Sequence, residues 1–251
     1  MKLETIIPRR VLVIAAHPDD IEFGGAGAVA VWADAGAEVV YCMVTDGAAG
    51  SNDATVVYSE LVERRKAEQQ QAAEIVGVRE VIYLDYPDGV LQPTLELRRD
   101  LTRVIRRFKP DRVMISDPTS VLLQSEGFDY INHPDHRAAA EAALYAIFPS
   151  AESRPIFPEL LEEGFEPHHV EEVYMTITER PNLAVDITSA MDRKLQALLS
   201  HRSQLDESVV DMVRAWDKLS GEQAGVEFAE TYRVMRFVDE PRGDKAVTQP
   251  E

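Results

Sequence analysis

Two short clusters in this chain hold the residue types that do chemistry: His17-Pro18-Asp19-Asp20 and His133-Pro134-Asp135-His136. Together they supply three imidazoles and three carboxylates. Imidazole plus carboxylate suits zinc or ferrous iron in a catalytic site, whereas a structural zinc is closed by four ligands and prefers cysteine. The one cysteine, Cys42, lies in the apolar run Val39–Val44 and reads as a core thiol. Either cluster alone is most simply a turn or a capped helix start. What argues for a site is where the two would meet.

The elements around them follow from pattern. Val11–Ala16 is an unbroken apolar run, as suits a strand buried on both faces, and it hands directly to His17. Glu38–Thr45, Glu80–Leu84 and Arg112–Ser116 read as three more such strands. Helices are predicted over Gly24–Ala35 with Gly36 beyond its end, over Tyr58–Val76 closed by Gly77, and over Thr94–Phe108 ended by Lys109-Pro110. Pro134 sits at a favourable first-turn position before an alanine-rich helix. Repeated strand-to-helix alternation predicts a three-layer α/β/α fold with a mostly parallel sheet and a smaller C-terminal α+β portion. Both clusters then fall at the carboxyl edge, where open α/β sheets bind ligands.

The intervening segment Asp117–Asn132 is long for a compact domain and reads as a functional or disordered loop. In the second half, Glu152–Val170 reads as an extended surface segment, Val173–Thr178 and Leu183–Ile187 as short strands, and Ser189–Leu205 and Val209–Leu219 as amphipathic helices. His168 and His169 read as surface residues, Trp32 and Trp216 as core, and Lys194, His201 and Gln204 as structural or subunit-contact residues sharing a helix. The expected organisation is one domain over 1–251, with a core at about 11–150, a pocket-shaping part at about 151–238 and a disordered tail at 239–251.

A formal net charge of −18 argues against sequence-independent binding to nucleic acid or to an anionic membrane, because both need cations to neutralise phosphates. No apolar run approaches the roughly 20 residues that span a bilayer, and MKLETIIPRR lacks signal-peptide order, so a cytoplasmic location is expected. One rival pattern is present. Gly25, Gly27 and Ala30 form GxGxxA, with Asp46 about 20 residues on, the fingerprint of a nicotinamide or flavin oxidoreductase. Its glycines stand too far from the strand, however, and Asp19, Asp20 and Glu22 would repel a pyrophosphate. A non-catalytic sugar-binding module is the third reading.

HPDD with FGGAGAVA, TDGAAG, the RKAE helix closed by VG, YPDG, PDRVMISDP and HPDHRAA together resemble the LmbE-like or PIG-L family of metal-dependent N-deacetylases. The likeness runs from about Val11 to Gln204 and includes PNLAVDITSAMDRKLQALLSHRSQ. It implies a Rossmann-like enzyme that removes acetyl from N-acetylglucosamine-type small molecules, with zinc as cofactor, ferrous iron as the alternative, and a homotrimer or homohexamer as the assembly. It further implies His17, Asp20 and His136 as metal ligands, Asp19 as general base, His133 as the group assisting at the carbonyl and Asp135 as its orienting partner. Arg65 and Asp88 match positions that meet substrate or line the mouth. Some relatives carry a tyrosine two residues before the first histidine of HPDH; this chain has Ile131 there, with Tyr130 beside it.

Overall fold

The computed structural model describes residues 1–125 and 128–237; the tail expected over 239–251 lies outside them. In chain order the elements are β1 (Lys2–Leu3), β2 (Arg10–Ala15), α1 (Asp20–Gly24), α2 (Ala26–Asp34), β3 (Glu38–Thr45), α3 (Tyr58–Val76), β4 (Glu80–Tyr86), α4 (Leu95–Phe108) and β5 (Arg112–Ser116). They continue through β6 (Leu122–Ser125), β7 (Phe128–Ile131), α5 (Pro134–Tyr145), α6 (Glu159–Glu162), β8 (Glu172–Thr176), β9 (Leu183–Asp186), α7 (Met191–Leu198), α8 (Ser208–Ala224) and β10 (Ala229–Arg236).

One eight-stranded sheet runs in the order β1-β9-β10-β8-β5-β2-β3-β4. Its neighbours pair in parallel except where β10 lies antiparallel between β9 and β8. Alternate residues of β2 feed two cores. Val11, Val13 and Ala15 pack with α2, α3, α7 and α8, while Leu12 and Ile14 pack with α4 and α5. Helices therefore cover both faces, which is why the central strands are apolar throughout. The chain winds from β2 through β3 to β4 on one side and then crosses to β5 and β8 on the other. The reversal falls between β2 and β5, and ligands bind at such a switch point because the loops diverge there.

Several sequence expectations change. The helix expected over Gly24–Ala35 is α2, and a short helix, α1, precedes it from Asp20, the two separated at Gly25. A Cβ on Gly25 would stand 2.6 Å from Met114 Sδ, and one on Gly27 would stand 2.8 Å from Ile187 Cδ1, so these glycines let α2 lie close against its neighbours. The expected loop 117–132 carries a hairpin, β6 with β7. The Ser189–Leu205 helix ends at Leu198, and Trp216 is half exposed on α8 rather than in the core. β10 escaped the pattern reading.

That last strand settles the rival fingerprint. Glu230 of β10 accepts hydrogen bonds from the Gly27 and Ala28 amides at 3.0 and 2.8 Å, where a dinucleotide fold would present the same amides to pyrophosphate. A carboxylate already fills that helix N-terminus. Lys194 Nζ reaches Glu230 at 2.9 Å and Asp217 at 2.6 Å, and the Tyr232 hydroxyl donates to Glu230 at 2.6 Å, all in the interior. Lys194→Met would strand two buried carboxylates, at a cost of about 3–5 kcal/mol. Urea unfolding of this variant checks it; a loss below about 1 kcal/mol, the scale of an exposed pair, would show that the network carries no structural weight.

Candidate metal centre

β2 ends in the interior, and the chain turns at once through Pro18 into Asp19, whose φ is 101°. A left-handed residue that is not glycine costs of order 1–2 kcal/mol, so the surroundings must hold it there. They do so from several sides. The Asp19 amide donates to Gln69 Oε1 at 3.0 Å. Arg65 Nη2 donates to Pro18 O at 2.7 Å and to Asp19 Oδ2 at 3.2 Å, while its Nη1 donates to Gly47 O at 2.8 Å. Leu61, Arg65, Gln69, Ala72 and Val76 form the buried stripe of α3, so two of its polar residues face inward beneath the turn.

Asp20 opens α1, and its carboxylate lies between two imidazoles. Oδ1 is 2.9 Å from His136 Nε2, and Oδ2 is 3.5 Å from His17 Nδ1 while accepting the His17 amide at 2.8 Å. His136 arrives from the first turn of α5. The opposite nitrogen of each ring is also engaged. His136 Nδ1 lies 3.1 Å from Asn132 Oδ1, and His17 Nε2 lies 2.9 Å from Asp88 and 3.5 Å from Asp135. Partners of this kind fix tautomer and ring orientation in metal sites. The nitrogens left facing Asp20 are thus Nδ1 of His17 and Nε2 of His136.

Two overlapping groups have the spacing to hold an ion, with donor atoms within 4.8 Å of one another: His17, His133 and His136, and His17, Asp88 and Asp135. The second competes poorly. Asp88 Oδ2 already accepts the Ala49 amide at 2.9 Å, and Asp135 accepts those of Gly89 and Leu91 at 2.7 and 3.1 Å. His17 and His136 of the first group also flank the Asp20 carboxylate, so imidazole and carboxylate donors of the kind that suit a borderline-soft divalent cation lie together beside the His133 ring. The charge balance fits as well. Burial opposes protonation of His17, yet the Asp20 charge and bonds to Asp135, Asp20 and Asp88 push it up to about 12, so the carboxylates hold a positive charge at that spot. Burial together with the neighbouring Asp20 charge raises Asp19 to about 6, against the pull of Arg65. Asp20 stays well below the usual range because the His136 and His17 charges outweigh its burial.

The structure brings His17, Asp19, Asp20, His133, Asp135, His136 and Asp88 to one edge. It changes how some of them connect. Asp135 was expected to orient His133 with its carboxylate; instead that carboxylate serves Gly89, Leu91 and His17, and Asp135 meets His133 through its main-chain amide, 3.2 Å from Nδ1. Burial, then the charges of His17 and His136, lower the His133 pKa, so the ring is held toward its neutral form. Arg65 is 4% exposed and bonds Gly47 O through Nη1 and Pro18 O and Asp19 Oδ2 through Nη2, so it grips the Asp19 turn from within. Tyr130 is hydrogen-bonded to the His133 main chain and feels the charges of Asp20 and His17. Asn132, Glu22, Gln69 and His201 were missed; the inward stripe of α3 is the signal that could have found Gln69.

A family model described as GlcNAc-PI de-N-acetylase, PIG-L, matches residues 12–147. The chain is 34% identical over 235 residues to the diacetylchitobiose deacetylase of Thermococcus kodakarensis, covering 90% of this chain and 83% of that one. It is 26% identical over 214 residues to a probable N-acetyl-alpha-D-glucosaminyl L-malate deacetylase 2 of Bacillus anthracis, covering 83% and 87%. Among solved structures, the N,N'-diacetylchitobiose deacetylase of Pyrococcus horikoshii superposes with a TM-score of 0.82 at 32% identity, covering 91% of this chain and 84% of that one.

Asn132→Ala, which removes the partner of His136 and leaves the ligand atoms in place, is expected to weaken metal affinity by about 10–100-fold. Competition with a coloured chelator measures it, with His136→Ala as the variant that loses the ion; unchanged affinity in Asn132→Ala would remove Asn132 from the site.

Proposed function

Since the chain belongs to the PIG-L (GlcNAc-PI de-N-acetylase) family and is thereby an N-deacetylase, we propose that it is a metal-dependent hydrolase of an N-acetylglucosamine-type amino sugar or its glycoside. The observation that carries this reading is the juxtaposition of Asp19, gripped by Arg65 and Gln69, with the His17, Asp20 and His136 donor set at the switch point. His17, Asp20 and His136 would hold the divalent ion, zinc or ferrous iron. When bound, such an ion polarises a carbonyl and lowers the pKa of water.

The chain's own residues supply the proton transfers. Asp19 accepts the proton of the attacking water, its carboxylate held beside the donor set by Arg65. Arg65 fixes the carboxylate through Oδ2. His133 faces the same space, its ring centroid 4.8 Å from that of His17 and 5.3 Å from that of His136. Its Nδ1 accepts the Asp135 amide, so the neutral ring carries its hydrogen on Nε2 and can donate it to the developing oxyanion or the leaving amine. Asp88 and Asp135 hold the outer nitrogen of His17. The sugar assignment draws on the relatives, named for diacetylchitobiose and for an N-acetylglucosaminyl malate. An assembly of three or six chains rests on the family resemblance, and light scattering checks it.

Acetate release from N,N′-diacetylchitobiose by metal-loaded protein, lost on chelation and restored by zinc or ferrous ion, is the expected result. Asp19→Asn should retain its metal and lose turnover by about 10²–10⁴-fold. Metal-loaded wild-type protein that frees no acetate from any N-acetylglucosamine oligomer or glycoside would overturn the substrate class, and equal metal loss in Asp19→Asn and His136→Ala would overturn the division of roles.

A further inference from the structure

Asp19 is held by its main chain as well as by its side chain, and the main-chain contact begins a chain of buried polar groups. The Asp19 amide donates to Gln69 Oε1 at 3.0 Å, Gln69 Nε2 donates to Glu22 Oε1 at 3.2 Å, and Glu22 Oε2 lies 3.2 Å from His201 Nε2. Gln69, Glu22 and His201 are each 0% exposed. Every link has one orientation. The Asp19 amide needs an acceptor, which puts Gln69 Oε1 toward it and the amide nitrogen toward Glu22; the carboxylate can only accept, so His201 must donate from Nε2. His201 Nδ1 has no hydrogen-bond partner, so the contact with Glu22 is what anchors this ring.

We propose that Gln69, Glu22 and His201 are positioning residues that hold Asp19 in its left-handed conformation, so that the turn after α7 sets the geometry of the general base. This rests on the deacetylase reading above. The local backbone supports it: a residue at φ 101° leaves the turn's regular path, and its amide is taken up by a side chain from another element. The gripping geometry supports it too. Arg65 and Gln69 lie one turn apart on α3 and reach the side chain and the main chain of the same aspartate. Were the chain only filler, apolar side chains of similar size would pack as well without burying a carboxylate. Glu22 cannot meet both Gln69 and His201 unless α1, α3 and the turn at 201 are all in register.

The test compares His201→Leu, which removes the donor, with His201→Gln, which keeps one, and adds Gln69→Leu. Each is made in the wild-type and Asp19→Asn backgrounds. His201→Leu and Gln69→Leu should lower kcat for acetate release by about 10–100-fold, as small misplacements of a reacting group do, with KM and metal per chain within about twofold. His201→Gln should recover to within about threefold of wild type. In the Asp19→Asn background none should cost anything further, since groups acting through one residue are non-additive. A second readout is independent of turnover: in protein labelled with ¹⁵N-aspartate, the Asp19 amide resonance should move in His201→Leu and Gln69→Leu and return in His201→Gln. Folded His201→Leu protein with an unmoved Asp19 resonance and full kcat would overturn the proposal, as would an equal further loss in Asp19→Asn. Should His201→Leu not fold, Gln69→Leu and His201→Gln carry the same comparison. Wild-type protein without acetate release would instead count against the deacetylase reading, with the amide resonance still reporting on the chain.

Discussion

The carboxyl edge of the sheet depends on where the Asp20 carboxylate sits. One oxygen meets the ring of His136 and the other takes the main-chain amide of His17 while facing its ring, so a single group joins the end of β2 to the start of α5. Those two elements flank the point at which the strand order reverses, and without a link between them the loops would diverge. The link is also an electrostatic necessity. Asp19, Asp20, Asp88 and Asp135 crowd one partly dry space, and carboxylates that close cannot all stay ionised unless positive charge stands among them. Arg65 and the imidazoles supply part of it. The proposed divalent cation would add to it, and this crowding of carboxylates around imidazoles is more than a pair of helix caps needs.

Capping and chemistry are not exclusive here. His133 Nδ1 does accept an amide of the first turn of α5, the bland role that an isolated HPDH motif suggests. That same bond leaves the other ring nitrogen as the donor, so the cap selects the useful tautomer. Asp135, which directly precedes His136 in the motif, turns its carboxylate away to gather the Gly89 and Leu91 amides and the far side of His17. The YPDG turn after β4 is thereby drawn into the site through both Asp88 and its own main chain.

How much of this could be read from residue order follows from how local each signal is. β2, β3 and β5 are largely apolar runs, and the first histidine and aspartate cluster stands where β2 ends, so the sheet and its occupied edge were legible. The hairpin of β6 and β7 was not, because its strands are four residues each, carry exposed Leu122 and Ile131, and pair only with each other. β10 was hidden differently. It is an antiparallel insertion whose eight residues include the charged Glu230, Arg233 and Arg236, and its partners β8 and β9 are far behind it in sequence. The end of α7 at Leu198 was missed because His201 and Gln204 continue a helical spacing that the chain itself abandons for a turn. Contacts such as Glu22 with His201, 179 residues apart, leave no local trace at all.

Those long-range contacts explain why a glycine pattern made for phosphate does other work in this chain. GxGxxA does begin a helix after a parallel strand, and its amides do bind a carboxylate oxygen pair, but the anion is Glu230 of β10. The C-terminal half thus inserts a charged group into each of two places that open α/β folds leave for ligands. Lys194 balances the first, so that α2 is locked to β10 and α8 and its N-terminus is unavailable to a cofactor. His201 meets Glu22 at the second, two residues along α1 from Asp20. Closing one ligand position and bracing the other leaves the edge at which His17, His136, the Asp20 carboxylate they share and the left-handed Asp19 lie together.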